Sequence, residues 1–133
     1  MSNATHVERT PASPELPRDF AIALAVEPVT HVRGALVLAG AFNLPLAEAD
    51  ALGHPVQHAI VLVIQHGDAW NVVTPFRELV LFPDDERATP GGVGGWFQID
   101  VFAAQGGPMP GYYQLFVSMG ERVSPVVEVA VRA

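Results

Sequence analysis

Histidine and carboxylate side chains are the first candidates for chemistry in this sequence. His54 lies four residues after Asp50 and four before His58, a spacing that places side chains on one face of a helix. Pro55 interrupts that helix, and no pair of histidines has a convincing zinc-ligand spacing. A site that the fold assembles from His31 and His54 is the alternative to ordinary surface histidines. We predict that the protein binds no metal and no cofactor.

A run of three acids, residues 84–86, precedes a glycine-rich segment, residues 91–95. The carboxylates suit Ca²⁺, which takes about six to eight oxygen ligands, but EF-hand spacing is absent and charged loops are usually solvated. A phosphate-binding loop needs a helix after its glycines, commonly with a Lys. A strand is predicted to follow here, and the chain has no Lys. We therefore predict that neither segment binds an ion or a phosphate.

Nucleophilic catalysis has no support in the sequence. The chain has no Cys and no Gly-x-Ser-x-Gly motif, and its few serines form no recognisable arrangement with histidine. Acid–base catalysis by Asp100 or Glu78 stays open, because the fold decides what lies beside each carboxylate. We predict no catalytic residues, and the favoured interpretation is a protein that is not an enzyme.

Composition restricts the class of protein further. The chain has 133 residues, of which 50% are hydrophobic and 16% charged, and its formal net charge is -7. It is too apolar to be disordered and too acidic to bind nucleic acid along the phosphate backbone. The absence of Cys excludes a disulfide scaffold and a Cys-ligated zinc site. We expect one domain with one hydrophobic core and more apolar surface than usual.

The N-terminal segment differs from the rest of the chain. Residues 1–19 are polar, contain Pro11, Pro14 and Pro17, and lack the apolar core of a secretion signal. They predict an extended arm that either lies along its own domain or reaches a neighbouring subunit. The most hydrophobic run, residues 59–64, is far too short to span a bilayer as a helix, so a cytoplasmic protein is expected.

Alternation of apolar with small or polar residues predicts one β-domain at residues 20–133. One helical turn is predicted between Pro45 and Pro55, and a loop at residues 83–95. The run 56–65 is typical of a central strand covered on both sides. The fold class is all-β, an antiparallel sandwich of seven or eight strands, with a small antiparallel barrel as the alternative. The strands are expected at 20–26, 31–44, 56–65, 70–74 and 77–82, and around 97–101, 113–119 and 127–131.

The segment from Pro110 to Ser118 reads Pro-Gly-Tyr-Tyr-Gln-Leu-Phe-Val-Ser and is followed by a turn and a Val-rich last strand. It resembles the final hairpin of immunoglobulin-like and fibronectin-like sandwiches, in which a Gly-x-Tyr pattern enters the penultimate strand. Here Gly111 and Tyr113 hold those positions, and the resemblance implies a tyrosine corner. The Cys pair of antibody domains is absent, and the resemblance implies a fold rather than an activity.

The faces opposite the predicted core carry both aromatic and polar side chains. If strands 97–101 and 113–119 pair as a hairpin, these faces form one surface that suits a binding site. In the alternative, the strands belong to opposite sheets, and the aromatic residues are scattered or covered by the arm. The predicted ligand- or partner-binding residues are Trp96, Gln98, Phe102, Tyr112 and Phe116.

Two functions fit these observations. The first is a non-catalytic sandwich that works by protein association, as a homo-oligomer or an accessory subunit, because the chain has low charge and strands that are apolar on both faces. The second is a small β-barrel that binds an apolar small molecule in its cavity, as a carrier or an enzyme. A carbohydrate-binding module that stacks sugars on Trp70 or Trp96 is a weaker third.

Overall fold

Strands with alternating apolar residues assemble into two sheets that pack face to face. The computed structural model describes residues 13–75, 79–80 and 86–133. Sheet A has five strands and sheet B has six, so the predicted all-β sandwich is confirmed, and the described residues form no closed barrel.

The elements have the following bounds. The strands of sheet A are β1 (Ala21–Ala25), β3 (Val37–Pro45), β6 (Leu79–Val80), β7 (Glu86–Thr89) and β8 (Gly92–Asp100). Those of sheet B are β2 (Val29–His31), β4 (Ile60–His66), β5 (Ala69–Val73), β9 (Gly111–Met119), β10 (Arg122–Val123) and β11 (Val127–Arg132). The helical segments are α1 (Leu46–Leu52), a 3₁₀ turn (Val56–Ala59) and α2 (Val101–Gln105).

Pairing within the sheets is antiparallel with one exception. In sheet A the order is β1-β3-β8-β6, and β7 pairs with β8 as a hairpin. In sheet B the order is β2-β11-β9-β4-β5, and β10 pairs with β9. The exception is β2, which runs parallel to β11 at the edge of sheet B. The chain passes from sheet A to sheet B between β1 and β2 and returns at β3, so the N-terminal strands link the two sheets.

The core consists of the two faces that the sheets turn towards each other. Phe97 and Ile99 on β8 face Tyr113 and Leu115 on β9, and all four side chains are fully buried. Burial of one large apolar side chain contributes roughly 1.5–3 kcal/mol, so this layer is the main source of stability. It also contains Leu38, Phe42 and Leu44 on β3, and Ile60, Leu62 and Ile64 on β4.

Several connections fold differently from the prediction. The stretch 31–44 forms parts of two strands in different sheets, because the chain turns at Gly34 before β3 begins. The stretch 83–95, predicted as a loop, contains β7 and the first residues of β8, which meet at a turn where Gly91 has a φ of 74°. Part of the predicted strand 77–82 lies outside the described residues, and its residues 79–80 form β6.

The central strand β4 is covered less completely than predicted. It pairs with β5 on one side and with β9 on the other, which confirms its central position. On its outer side, however, Val61 and Val63 are only half-buried. The prediction of cover on both faces is therefore wrong, because sheet A packs against the inner face alone.

Tyr113 makes the backbone contact that a tyrosine corner requires. Its hydroxyl donates a hydrogen bond to the Met109 carbonyl at 2.6 Å, and Gln105 Nε2 donates to that hydroxyl at 3.1 Å. The ring stacks on His66 at a centroid distance of 4.4 Å. Gly111 fits beside this pair because a Cβ atom there would overlap the His66 ring. The hydrogen bond is local, and membership of an immunoglobulin-like family stays a prediction.

Close packing of Phe97 on Gly40 provides a stability test. A Cβ atom at Gly40 would overlap the Phe97 ring, which is fully buried in the core. We expect Gly40→Ala to lower the free energy of unfolding by about 3 kcal/mol, at the upper end for overpacked cores. Urea denaturation followed by circular dichroism measures this change.

Gly34→Ala is the matched control, because the nearest atoms to a Cβ there are 3.5 Å away. We expect its free energy of unfolding to lie within about 1 kcal/mol of the wild type. In a Phe97→Leu background, Gly40→Ala should cost much less than in the wild type, since the overlapping ring is gone. Equal urea midpoints for the two alanine variants would contradict the packing argument.

Candidate functional site

The five residues predicted to form one binding surface lie in three different places. Trp96 and Gln98 are on the outer face of sheet A, whereas Tyr112 and Phe116 are on the outer face of sheet B. Phe102 is buried in α2. Strands β8 and β9 do not pair as a hairpin but belong to opposite sheets, the second of the two arrangements considered from the sequence, because α2 carries the chain from one sheet to the other.

The outer face of sheet A is covered by the chain itself. Residues 13–19 cross it without forming a strand of their own. Trp96 Nε1 donates a hydrogen bond to the Pro14 carbonyl at 2.9 Å, and Asn43 Nδ2 donates to the Pro17 carbonyl at 3.0 Å. The described part of the predicted arm thus lies along its own domain.

Strand β7 contributes side chains to the part of sheet A that residues 13–19 cross. The Arg87 guanidinium lies 4.6 Å from the centroid of the Trp96 ring, a cation–π distance. Thr89 Oγ1 donates a hydrogen bond to Asn43 Oδ1 at 2.7 Å, which orients the amide so that its nitrogen faces the arm. Both donors to the arm are therefore positioned by side chains of the same short strand.

Two buried polar atoms on this side of the molecule lack partners within the described part of the chain. Gln98 is only 4% exposed, and its Nε2 has no hydrogen-bond acceptor there. Ser13 Oγ is likewise buried without a partner. A buried amide donor without an acceptor is unfavourable, so residues 13–19 leave at least one polar group of the covered face without a hydrogen bond.

The outer face of sheet B is exposed and largely apolar, and we call it the open face. Val72 is 65% exposed and Trp70 is 61% exposed on edge strand β5. Neighbouring strands continue the apolar surface, because Val63 pairs with Val72 on one side and with Phe116 on the other. The open face also includes Val29, Val61, Tyr112, Ser118 and Val123.

Polar groups of the open face lie towards β11. Glu128 accepts a hydrogen bond from Gln114 Nε2 at 3.1 Å. Its hydrogen bond with Tyr112 raises the pKa of the Tyr112 hydroxyl above its usual range and lowers the pKa of the Glu128 carboxyl. Among the described strand residues of this face, the fixed charges are Glu128 and Arg132, so its centre and its β5 side are neutral.

His54 forms a separate polar cluster at the end of α1. In its charged form, Nε2 donates to Asp50 Oδ1 at 3.0 Å and Nδ1 donates to Glu86 Oε1 at 2.7 Å. The second Glu86 oxygen accepts a hydrogen bond from the Val56 backbone at 2.7 Å. Hydrogen bonds to Asp50 and then to Glu86 raise the pKa of His54 above its ordinary value. We call this arrangement the histidine clamp.

The sequence indicated half of the histidine clamp. The four-residue spacing of Asp50 and His54 is a helical spacing, and the structure brings these side chains together. Glu86 was predicted only as part of a solvated acidic run, because its contact with His54 spans 32 residues and depends on the unpredicted strand β7. The other two acids of the run, Asp84 and Asp85, lie outside the described residues.

Other features of the described residues give no support for catalysis or metal binding. No group of three or more His, Asp or Glu side chains there is arranged to hold a metal ion. A depression of about 410 Å³ lies beside Phe20, but its Arg122 is already paired with Glu48 at 2.9 and 3.0 Å. Within the same residues, no helix has the length and apolar character needed to cross a membrane.

Comparison with known proteins assigns no family to this chain. A scan against protein-family models finds no match, and a search of the curated proteins finds none either.

The histidine clamp predicts a pH dependence of stability. A raised pKa means that the charged His54 stabilises the fold fully below its unfolded-state pKa, near 6.5. That contribution is lost as the pH rises from about 6.5 through the higher folded-state pKa. We expect the melting temperature to fall over this range by a few degrees at most, because the pairs are exposed.

His54→Gln is the control for this effect, since it keeps a polar side chain that does not titrate. The difference in melting temperature between the wild type and this variant should shrink as the pH is raised. A histidine titration by NMR should place His54 above the ordinary range. A difference in melting temperature that stays constant from pH 5 to pH 9 would rule out the clamp as a titrating contact.

Proposed function

We propose that this protein is a non-catalytic β-sandwich that works by protein association, and that two copies associate through the open face. The observation that carries the proposal is the apolar surface formed by Trp70, Val72, Val63 and Phe116, of which the first two are mostly exposed. Monomeric proteins rarely expose a contiguous apolar patch of this kind, and such patches are typical of protein interfaces.

The size of the open face supports a weak dimer. Five strands at a spacing of about 4.8 Å span roughly 20–24 Å, and seven paired residues at about 3.4 Å each span roughly 23 Å. The product is about 500 Å² for each copy, or about 1,000 Å² for two. This area is at the lower limit for specific interfaces, so we expect dissociation in the micromolar range or weaker.

Charge also supports a second copy as the occupant. The chain has a net charge of -7, so two copies repel each other unless they meet at a neutral surface. The open face supplies such a surface, because its fixed charges, Glu128 and Arg132, are opposite in sign and lie on β11. A neutral face does not select a strongly basic partner, whereas it allows two acidic chains to approach.

We further propose that the domain is immunoglobulin-like in its strand order. The order β1-β3-β8-β6 corresponds to strands A, B, E and D of that class, and β11-β9-β4 corresponds to G, F and C. Close amide contacts between β2 and β11, measured by NMR, test the parallel pairing that this assignment includes. An antiparallel register would contradict it, and the assignment carries no activity in either case.

Val72→Glu tests the proposed dimer. The substitution places a charge on the β5 side of the apolar surface, at a side chain exposed enough to leave the fold intact. We expect the wild-type chain to form dimers as its concentration rises from about 5 μM to 1 mM, and the variant to stay monomeric. Sedimentation equilibrium measures both.

Leu46→Glu is the matched control, because Leu46 is an exposed apolar residue at the start of α1 and not on the open face. This variant should dimerise like the wild type. A wild-type chain that stays monomeric at 1 mM would overturn the proposal. Equal dimerisation of Val72→Glu and Leu46→Glu would also overturn the proposal, provided that both variants retain the wild-type circular dichroism spectrum.

A further inference from the structure

We propose that the outer face of sheet A is a binding groove for an extended, proline-containing peptide of another polypeptide, and that residues 13–19 occupy it as an internal competitor. The groove is lined by Asn43, Thr89, Gly94, Trp96 and Gln98. It lies on the opposite side of the sandwich from the open face, so this inference does not depend on the proposed dimer.

The spacing of the donors matches a polyproline-II backbone. Trp96 Nε1 binds the carbonyl of Pro14, and Asn43 Nδ2 binds the carbonyl of Pro17, three residues further along the arm. A polyproline-II helix has three residues per turn, so carbonyls at this interval point to the same side. Aromatic-lined grooves recurrently bind Pro-x-x-Pro segments in this conformation, and Trp96 supplies an aromatic side chain here.

A single glycine provides room for an apolar side chain between these two contacts. Leu16 lies against β8 at Gly94, where a Cβ atom would be 2.9 Å from Leu16 Cδ1. The neighbouring residue, Glu15, is exposed. The groove therefore favours the pattern Pro-x-Leu-Pro, which this chain presents at residues 14–17.

One donor of the groove is not used by residues 13–19, the described part of the arm. Gln98 lies two residues beyond Trp96 on the same face, it is almost fully buried, and its Nε2 has no acceptor among the described residues. Buried amide donors of native proteins nearly always have acceptors. A ligand that brings an acceptor to Gln98 Nε2 makes a contact that residues 13–19 do not make, and this contact favours its exchange for them.

The attachment of the arm is weak enough for exchange. Within the described residues 13–19, two hydrogen bonds from Asn43, one from Trp96 and the contact of Leu16 at Gly94 hold the arm on sheet A. The arm is anchored where it enters β1, because Arg122 donates to the Phe20 carbonyl at 3.1 Å and Gly92 leaves room for the Phe20 ring. These contacts of Phe20 do not involve residues 13–19, so we expect them to persist when the arm is released.

The test uses the full chain and a synthetic peptide, Ser-Pro-Glu-Leu-Pro-Arg-Asp, with blocked ends and a fluorescent label. The variant Leu16→Asp removes the apolar contact of the arm and frees the groove. We expect this variant to bind the peptide at least about tenfold more tightly than the wild type, since a tethered competitor has a millimolar effective concentration. Fluorescence anisotropy gives both dissociation constants.

Two controls make the result specific to the groove. Adding Trp96→Phe to Leu16→Asp keeps a ring for Arg87 but removes the N–H donor, and it should weaken peptide binding about fivefold or more. A peptide of the same composition with its prolines adjacent should bind no variant. Absence of binding to a folded Leu16→Asp chain, or equal binding of both peptides, would overturn the proposal.

A third measurement distinguishes a foreign peptide from the arm of a second copy. In the Val72→Glu background, which lacks the proposed dimer interface, the chain should stay monomeric whether or not Trp96→Phe is added. If Val72→Glu instead forms dimers that Trp96→Phe dissociates, the groove takes the arm of a second copy and the proposal of a foreign peptide is wrong.

Discussion

A sandwich of two sheets has four faces, and packing the sheets against each other covers only two of them. The inner faces form the core, with Phe97 and Tyr113 fully buried at its centre. Each outer face must then be covered, be polar or serve as an interface. In this protein the outer face of sheet A is crossed by residues 13–19, whereas the open face keeps Trp70 and Val72 in water. Part of the hydrophobic content of the chain therefore lies on the open face rather than in the core.

Strand parity, by which we mean that successive side chains of a strand point to opposite faces of the sheet, made much of the core predictable from the sequence. In β9 and β11, apolar residues alternate with Gln114, Ser118 and Glu128, and the predicted core residues of these strands are buried except for Val127, which is half-buried. The hairpin β7-β8 escaped prediction for a physical reason. Phe20 packs on Gly92 and Leu16 packs on Gly94, so there is no room for a side chain at either position. A strand whose glycines are required by such tertiary contacts has the local sequence pattern of a loop.

The candidate sites were harder to predict than the strands. Parity identified Trp96, Gln98, Tyr112 and Phe116 as second-face residues, and the structure places all four on outer faces. Parity does not tell which sheet a strand joins, because that depends on connections such as α2 and on long-range pairing. The partner of Trp96 is 82 residues away in the sequence, so its hydrogen bond to Pro14 has no local signal.

Strand β7 connects the histidine clamp to the groove. Its alternate residues face opposite ways: Glu86 contacts His54, whereas Arg87 and Thr89 support the groove residues Trp96 and Asn43. Loss of the charge on His54 leaves one ring N–H, which can donate to Asp50 or to Glu86 but not to both. The hydrogen bond from the Val56 backbone to Glu86 remains, because it does not depend on that proton. The strand thus keeps an anchor at both protonation states of His54. The clamp therefore affects the stability of the fold more than the shape of the groove.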